Sequence, residues 1–176
     1  IGGMLDNFPA GVKLDLEAVQ RLLDLRRPGQ SALTTQRKES DSVEFLSGIY
    51  EGYSIGTPIG FIIRNSDAKS KDYEHIKDVY RPSHADFTYQ AKYGMRDHRG
   101  GGRSSARETA CRVVGGALAM QIVPQAQIVA YVSAVGEVKL DRNYQELDLG
   151  ARYDNDVRCP DADAAARMEE HITAVR

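Results

Sequence analysis

The sequence predicts an α+β fold built on antiparallel strands, and three observations lead there. Short apolar runs are punctuated by Gly48, Gly52, Gly56 and Pro58, the pattern of brief strands joined by tight turns. Other stretches carry apolar residues at helical period. The two kinds of segment do not follow the strand–helix–strand rhythm that marks a parallel sheet. At 176 residues the chain is long enough for one sizeable core, or for part of a larger one. No repeat, low-complexity tract or linker divides it, so residues 1–176 read as a single domain.

In order, Ile1–Leu5 reads as the middle of a strand or turn and lacks an initiator methionine. Asp15 caps a helix over Leu16–Arg26, whose inner face is Leu16, Val19, Leu22 and Leu23, and Pro28 ends it. Strands are expected over Ser42–Ser47 and Ile59–Arg64, and a long polar loop over Asn65–Asp78. The central helix is expected over Ser105–Ile122, because Ser105 and Glu108 have capping-box spacing and Ala110, Val113, Val114, Ala117 and Leu118 form one apolar face. A strand over Gln127–Val135 follows, then a segment from Asp141 to Asp163 that is mostly loop. A charged amphipathic helix from Ala164 to Arg176 closes the chain. Both ends look cut, so a fragment is expected.

Composition excludes several classes. Hydrophobic residues at 41% and charged residues at 27% are ordinary for a globular domain, and a net charge of −2 argues against bulk nucleic-acid binding. No apolar run has the length of a membrane span. Cys111 and Cys159 are too few and too far apart for a disulfide framework or a metal site. A reducing, cytoplasmic setting is expected, with Cys111 a buried thiol beside the central helix face.

The stretch Arg81–Leu118 carries the chemistry. Gly100, Gly101 and Gly102 lead into the central helix, and Arg103 and Arg107 flank its start. A helix start presents unpaired N–H groups and partial positive charge, so this is a candidate phosphate site as well as an ordinary glycine loop. His84, in Arg81-Pro82-Ser83-His84-Ala85-Asp86, has cations and a carboxylate nearby, a setting in which an imidazole can serve as a general acid. Such a loop histidine is more often a surface residue, and His98 has the same bland alternative. His75 and His171 have nothing to recommend them. No two histidines have zinc-site spacing, and no nucleophile elbow is present.

Several runs together carry a resemblance. Gly101-Gly102-Arg103-Ser104-Ser105-Ala106-Arg107-Glu108-Thr109, with Arg112-Val113 and Gly115-Gly116-Ala117, resembles the central signature of chorismate synthases. Arg26-Arg27-Pro28-Gly29-Gln30-Ser31, Thr34-Thr35-Gln36-Arg37, Gly56-Thr57-Pro58-Ile59-Gly60, Arg81–Asp86 and Lys92-Tyr93-Gly94 are similar to that family too, and in its order. The resemblance spans nearly the whole chain and is strongest from residue 26 to 118.

The resemblance implies antiparallel sheets and helices packed in a β-α-β sandwich, of which this chain would carry part. It implies a lyase that converts 5-enolpyruvylshikimate 3-phosphate to chorismate and phosphate by 1,4-anti elimination. The cofactor implied is reduced flavin mononucleotide (FMN), with NADPH or an outside reductant left open as its source of electrons. His84 matches the histidine that protonates the leaving phosphate. Arg26, Arg81 and Arg107, with Arg37 a weaker match, are assigned to the substrate anions, where planar guanidinium groups suit phosphate and carboxylate. Arg103, Ser104 and Ser105 match the flavin segment. No metal, nucleic acid or membrane is implied, and family members assemble as homotetramers about twice this length. The family's N-terminal histidine motif and its second half would lie outside the chain, so the chain alone is expected to be inactive. A non-catalytic flavin- or phosphate-binding module is the alternative. An RNA-binding glycine–arginine tract fits poorly, because the one here is single and enters a helix.

Overall fold

The apolar run Ile59–Ile63 (β5) is the middle strand of a three-stranded antiparallel sheet in the computed structural model, which describes residues 1–34, 39–65, 70–98 and 106–176, without the side chains of 70–72 and 106. On one side β5 pairs with β1 (Gly2–Leu5), with Gly3 opposite Phe61, and on the other with β2 (Val43–Phe45), with Phe45 opposite Phe61. A central strand is covered on both faces, which is why β5 is apolar throughout instead of alternating. A hairpin of β3 (Ile49–Tyr50) and β4 (Tyr53–Ser54) turns through Glu51 and Gly52, both at positive φ. All strand pairs among the described residues are antiparallel, and the fold is α+β as the sequence predicts.

The helix α1 spans Leu16–Arg26, as its periodicity dictates, and the Asp15 carboxylate accepts a hydrogen bond from the Ala18 amide at its start. The central helix α3 covers Thr109–Ile122 and follows a 3₁₀ turn at Ala106–Glu108. The expected start at Ser105 lies outside the described residues. Two helices and the sheet share one core: Val19 and Leu23 from α1, Val114 and Leu118 from α3, and Ile59 and Ile63 from β5 are all fully buried. Each such side chain contributes about 1.5–3 kcal/mol through removal from water. Cys111 departs from its expected burial and is half-exposed, because it sits one residue past the buried Ala110, on the helix flank.

One further helix was not read from the sequence. Asp86–Tyr93 (α2) ends at Gly94 in the left-handed conformation, with the Gly94 amide bonded to the Gln90 carbonyl. The expected loop 65–78 also holds a 3₁₀ segment, Ser70–Ile76.

The chain divides into two compact units, residues 1–27 with 37–124, and residues 28–36 with 125–176. The second unit has its own core of Val157, Cys159, Ala164, Ala165 and Met168. Its helix α4 (Ala162–Val175) starts two residues earlier than predicted, where Asp161 caps the Ala164 amide. The strand expected over Gln127–Val135 is corrected to the short hairpin of β6 (Ala134–Val135) and β7 (Val138–Lys139). Gly136, at φ +57°, turns the chain back after two paired residues, so the apolar run before it never finds a neighbouring strand.

Candidate active site

Packing of α1 against α3 brings together two of the predicted arginines. Arg26 is the last residue of α1, and Arg107 lies in the turn that leads into α3. Between them sits Asp41, fully buried and in the left-handed region at φ +46°. Arg26 Nη1 reaches Asp41 Oδ2 at 3.1 Å, and Arg107 Nη1 donates to Asp41 Oδ1 at 2.6 Å. Arg26 Nη2 also donates to Thr109 Oγ1, and Arg107 Nη2 to the Arg64 carbonyl. Glu39, also buried, lies 3.7 Å from Arg107 Nη2, and the Asn65 amide, turned toward it, donates to both its oxygens.

Charges this buried persist only when paired. Asp41 therefore fixes the distance between two guanidinium groups that come from the end of α1 and the approach to α3. The Gln20 side chain pins the connector, donating to the Asp41 carbonyl and accepting from the Val43 amide. Neither Asp41 nor Glu39 was singled out in the sequence. The available signal was an acidic pair set directly after the cations Arg37 and Lys38.

A second group is built around Arg81. Its Nε and Nη2 make a bidentate pair with the Asp86 carboxylate, both at 2.9 Å, and its main-chain amide donates to Asp86 Oδ2 at 3.1 Å. Arg96 adds a second cation 3.6 Å from Asp86, and its Nη2 is held by the carbonyls of Ile76, Lys77 and Val79. The Arg81 guanidinium beside it holds the Asp86 carboxyl far below the usual carboxylate range, against the opposing effect of burial. The same hydrogen bonds raise Arg81 above its ordinary value. Arg81 also lies over the Tyr73 ring, and Arg96 over that of Tyr80.

His84 stands at the exposed tip of the loop that this pair closes. The nearby carboxylate does not face the imidazole, as the sequence reading allowed, but Arg81. His84 Nδ1 instead lies 3.1 Å from the Pro82 carbonyl.

The structure thus joins Arg26 with Arg107, and Arg81 with the His84 loop. Arg37, Arg103, Ser104 and Ser105 lie outside the described residues. His98 Nε2 lies 3.5 Å from Glu74 Oε1. A cavity of about 540 Å³ between β1 and α3 holds none of the predicted residues, and its cation, Arg112, pairs with Glu108 at 3.1 Å. No helix among the described residues is long and apolar enough to cross a membrane.

The family model described as chorismate synthase matches residues 1–176. Proteins named chorismate synthase from Christiangramia forsetii and Flavobacterium psychrophilum are 60% and 56% identical, over all of this chain and 50% of each relative. The chain spans about half the length of the curated relatives it matches. A crystal structure of chorismate synthase superposes with a TM-score of 0.71 at 26% identity, over 99% of this chain and 48% of that one.

Proposed function

The chain belongs to the chorismate synthase family, and from that premise we propose that it provides part of the site of a lyase that eliminates phosphate from 5-enolpyruvylshikimate 3-phosphate to give chorismate. The observation that carries the reading is the meeting of Arg26 and Arg107, distant in sequence, on one buried carboxylate. Two guanidinium groups held at fixed spacing suit a substrate that bears a phosphate and two carboxylates. Arg81 adds a third cation, and Arg37 a fourth by family match. His84 holds a proton at the tip of its loop and gives it to the departing phosphate.

Arg103, Ser104 and Ser105 are the residues assigned to reduced FMN. The described chain just past them brings a cation that suits a phosphate-bearing group: Arg107 precedes α3, and the carboxylate beside it, Glu108, is paired with Arg112. When bound, the reduced flavin would supply an electron for loss of the phosphate and accept the departing hydrogen. NADPH or an outside reductant would keep the flavin reduced. The site works in the cytoplasm and in a homotetramer of chains of the relatives' length, and the 176-residue chain alone has no turnover.

The test uses a polypeptide of the relatives' length that contains this chain, under anaerobic conditions with reduced flavin. His84→Ala should lower turnover by about 10²–10⁴-fold with a much smaller loss of substrate binding. Arg107→Ala should lose binding and also thermal stability, because Asp41 and Glu39 lose a cation while buried. Near-normal turnover in His84→Ala would sink the acid role.

A further inference from the structure

The loop that presents His84 is closed at its base and shaped at its tip by separate devices. At the base, Asp86 is 3% exposed and accepts three hydrogen bonds from Arg81, one from the main chain and two from the guanidinium. The first residue of the loop is thereby tied to the first residue of α2. At the tip, the His84 amide donates to the Arg81 carbonyl at 3.3 Å, and Ser83 takes φ +61°. Pro82 at the second position and a positive φ at the third are the signature of a type II turn. That turn aims the Pro82 carbonyl at the ring of His84, 3.1 Å from Nδ1.

A carbonyl oxygen only accepts, so the contact requires Nδ1 to carry a hydrogen. In the neutral ring Nε2 is then the bare nitrogen, and in the charged ring it holds the labile proton. We infer that Asp86 is a positioning residue for His84: by tying Arg81 to the start of α2 it keeps the Pro82 carbonyl on Nδ1, and so makes Nε2 the nitrogen that delivers the proton. Asp86 touches no part of the imidazole and acts only through Arg81 and the turn. The inference rests on the acid role proposed for His84.

The measurement is the ¹⁵N spectrum of the histidine ring nitrogens in a polypeptide of the relatives' length that contains this chain, at a pH above the histidine range, with His84 assigned by His84→Gln. The wild-type His84 should show a protonated Nδ1 and a bare Nε2. In Asp86→Asn the two nitrogen shifts should move toward each other as the Nδ1–H form ceases to dominate. Arg81→Lys, which keeps the charge and loses the two-pronged contact, should do the same and serves if Asp86→Asn folds poorly. A loss of stability alone would leave the ring-nitrogen pattern of the folded protein unchanged. A wild-type ring protonated at Nε2, or variants with unchanged α1 and α3 amide signals and wild-type ring shifts, overturns the inference. The readout needs no turnover, so the two readings fail separately. A held tautomer with normal turnover in His84→Ala sinks only the acid role, and a free tautomer with lost turnover sinks only the clamp.

Discussion

Asp86 is the residue at which burial and charge can be weighed against each other most directly. Burial raises a carboxyl and the Arg81 and Arg96 cations lower it, and here the cations win. A carboxyl depressed in the fold adds stability above its unfolded value, about 3.9, and that stability is lost as pH falls through the depressed folded value. The melting temperature of Asp86→Asn should therefore lie below wild type by a constant gap at neutral pH. The gap should close only below about pH 4. A gap that already narrows between pH 7 and pH 5 would mean that another group carries the linkage. Asp86 was visible in the sequence as a neighbour of His84, but its partner was not, since nothing local tells a carboxylate which of two basic neighbours to face. Asp41 was harder still. Its role depends on α1 and α3 packing side by side, which no local pattern around residue 41 reports.

At the scale of elements, legibility followed the strength of the repeat. The helix α1 has a capping aspartate and four apolar residues at helical spacing, and its boundaries came out of the sequence unchanged. The central strand β5 ends one residue before the expected Arg64, and it was legible because a run apolar at every position has few other places to go. The helix α2 was missed: it is eight residues long, leaves Phe87 and Tyr93 exposed, and so lacks the apolar stripe that marks a buried face. The hairpin β6–β7 was hidden by its two-residue strands. Glycines that punctuate turns were readable as breaks, but their reasons differ. Gly48 and Gly52 share nearly the same φ, +81° and +80°, yet a Cβ on Gly48 would stand 2.7 Å from the Ile59 Cα and the Pro58 carbonyl, while one on Gly52 meets nothing within 4 Å. Gly52→Ala should cost about 1–2 kcal/mol, the strain of a left-handed alanine. Gly48→Ala should cost clearly more, since backbone on both sides must shift. Urea unfolding of the two variants checks the order, and equal losses would show that the close approach at Gly48 relaxes freely.

At the scale of the whole molecule, the sheet order β1-β5-β2 leaves two strands each with one unpaired edge among the described residues. Natural sheets guard such edges with charge, proline or a covering segment. On β1 the outward residues are Gly2 and Met4, and Met4 is 71% exposed, so among the described residues that edge carries none of these guards. Leu46, just past β2, is 61% exposed. The relatives are about twice as long as this chain, and their remaining length has somewhere to pack. The 176-residue chain by itself should therefore self-associate, with sedimentation velocity showing species larger than a monomer that grow with concentration. Met4→Lys places a charge on the bare edge and should shift the distribution toward monomer, while Ile59 and Phe61 beneath keep the fold intact. Far-ultraviolet circular dichroism of the variant checks that the fold survives. A wild-type chain that stays monomeric at high concentration would show that this surface is content in water. Association unchanged by Met4→Lys would move the contact away from β1.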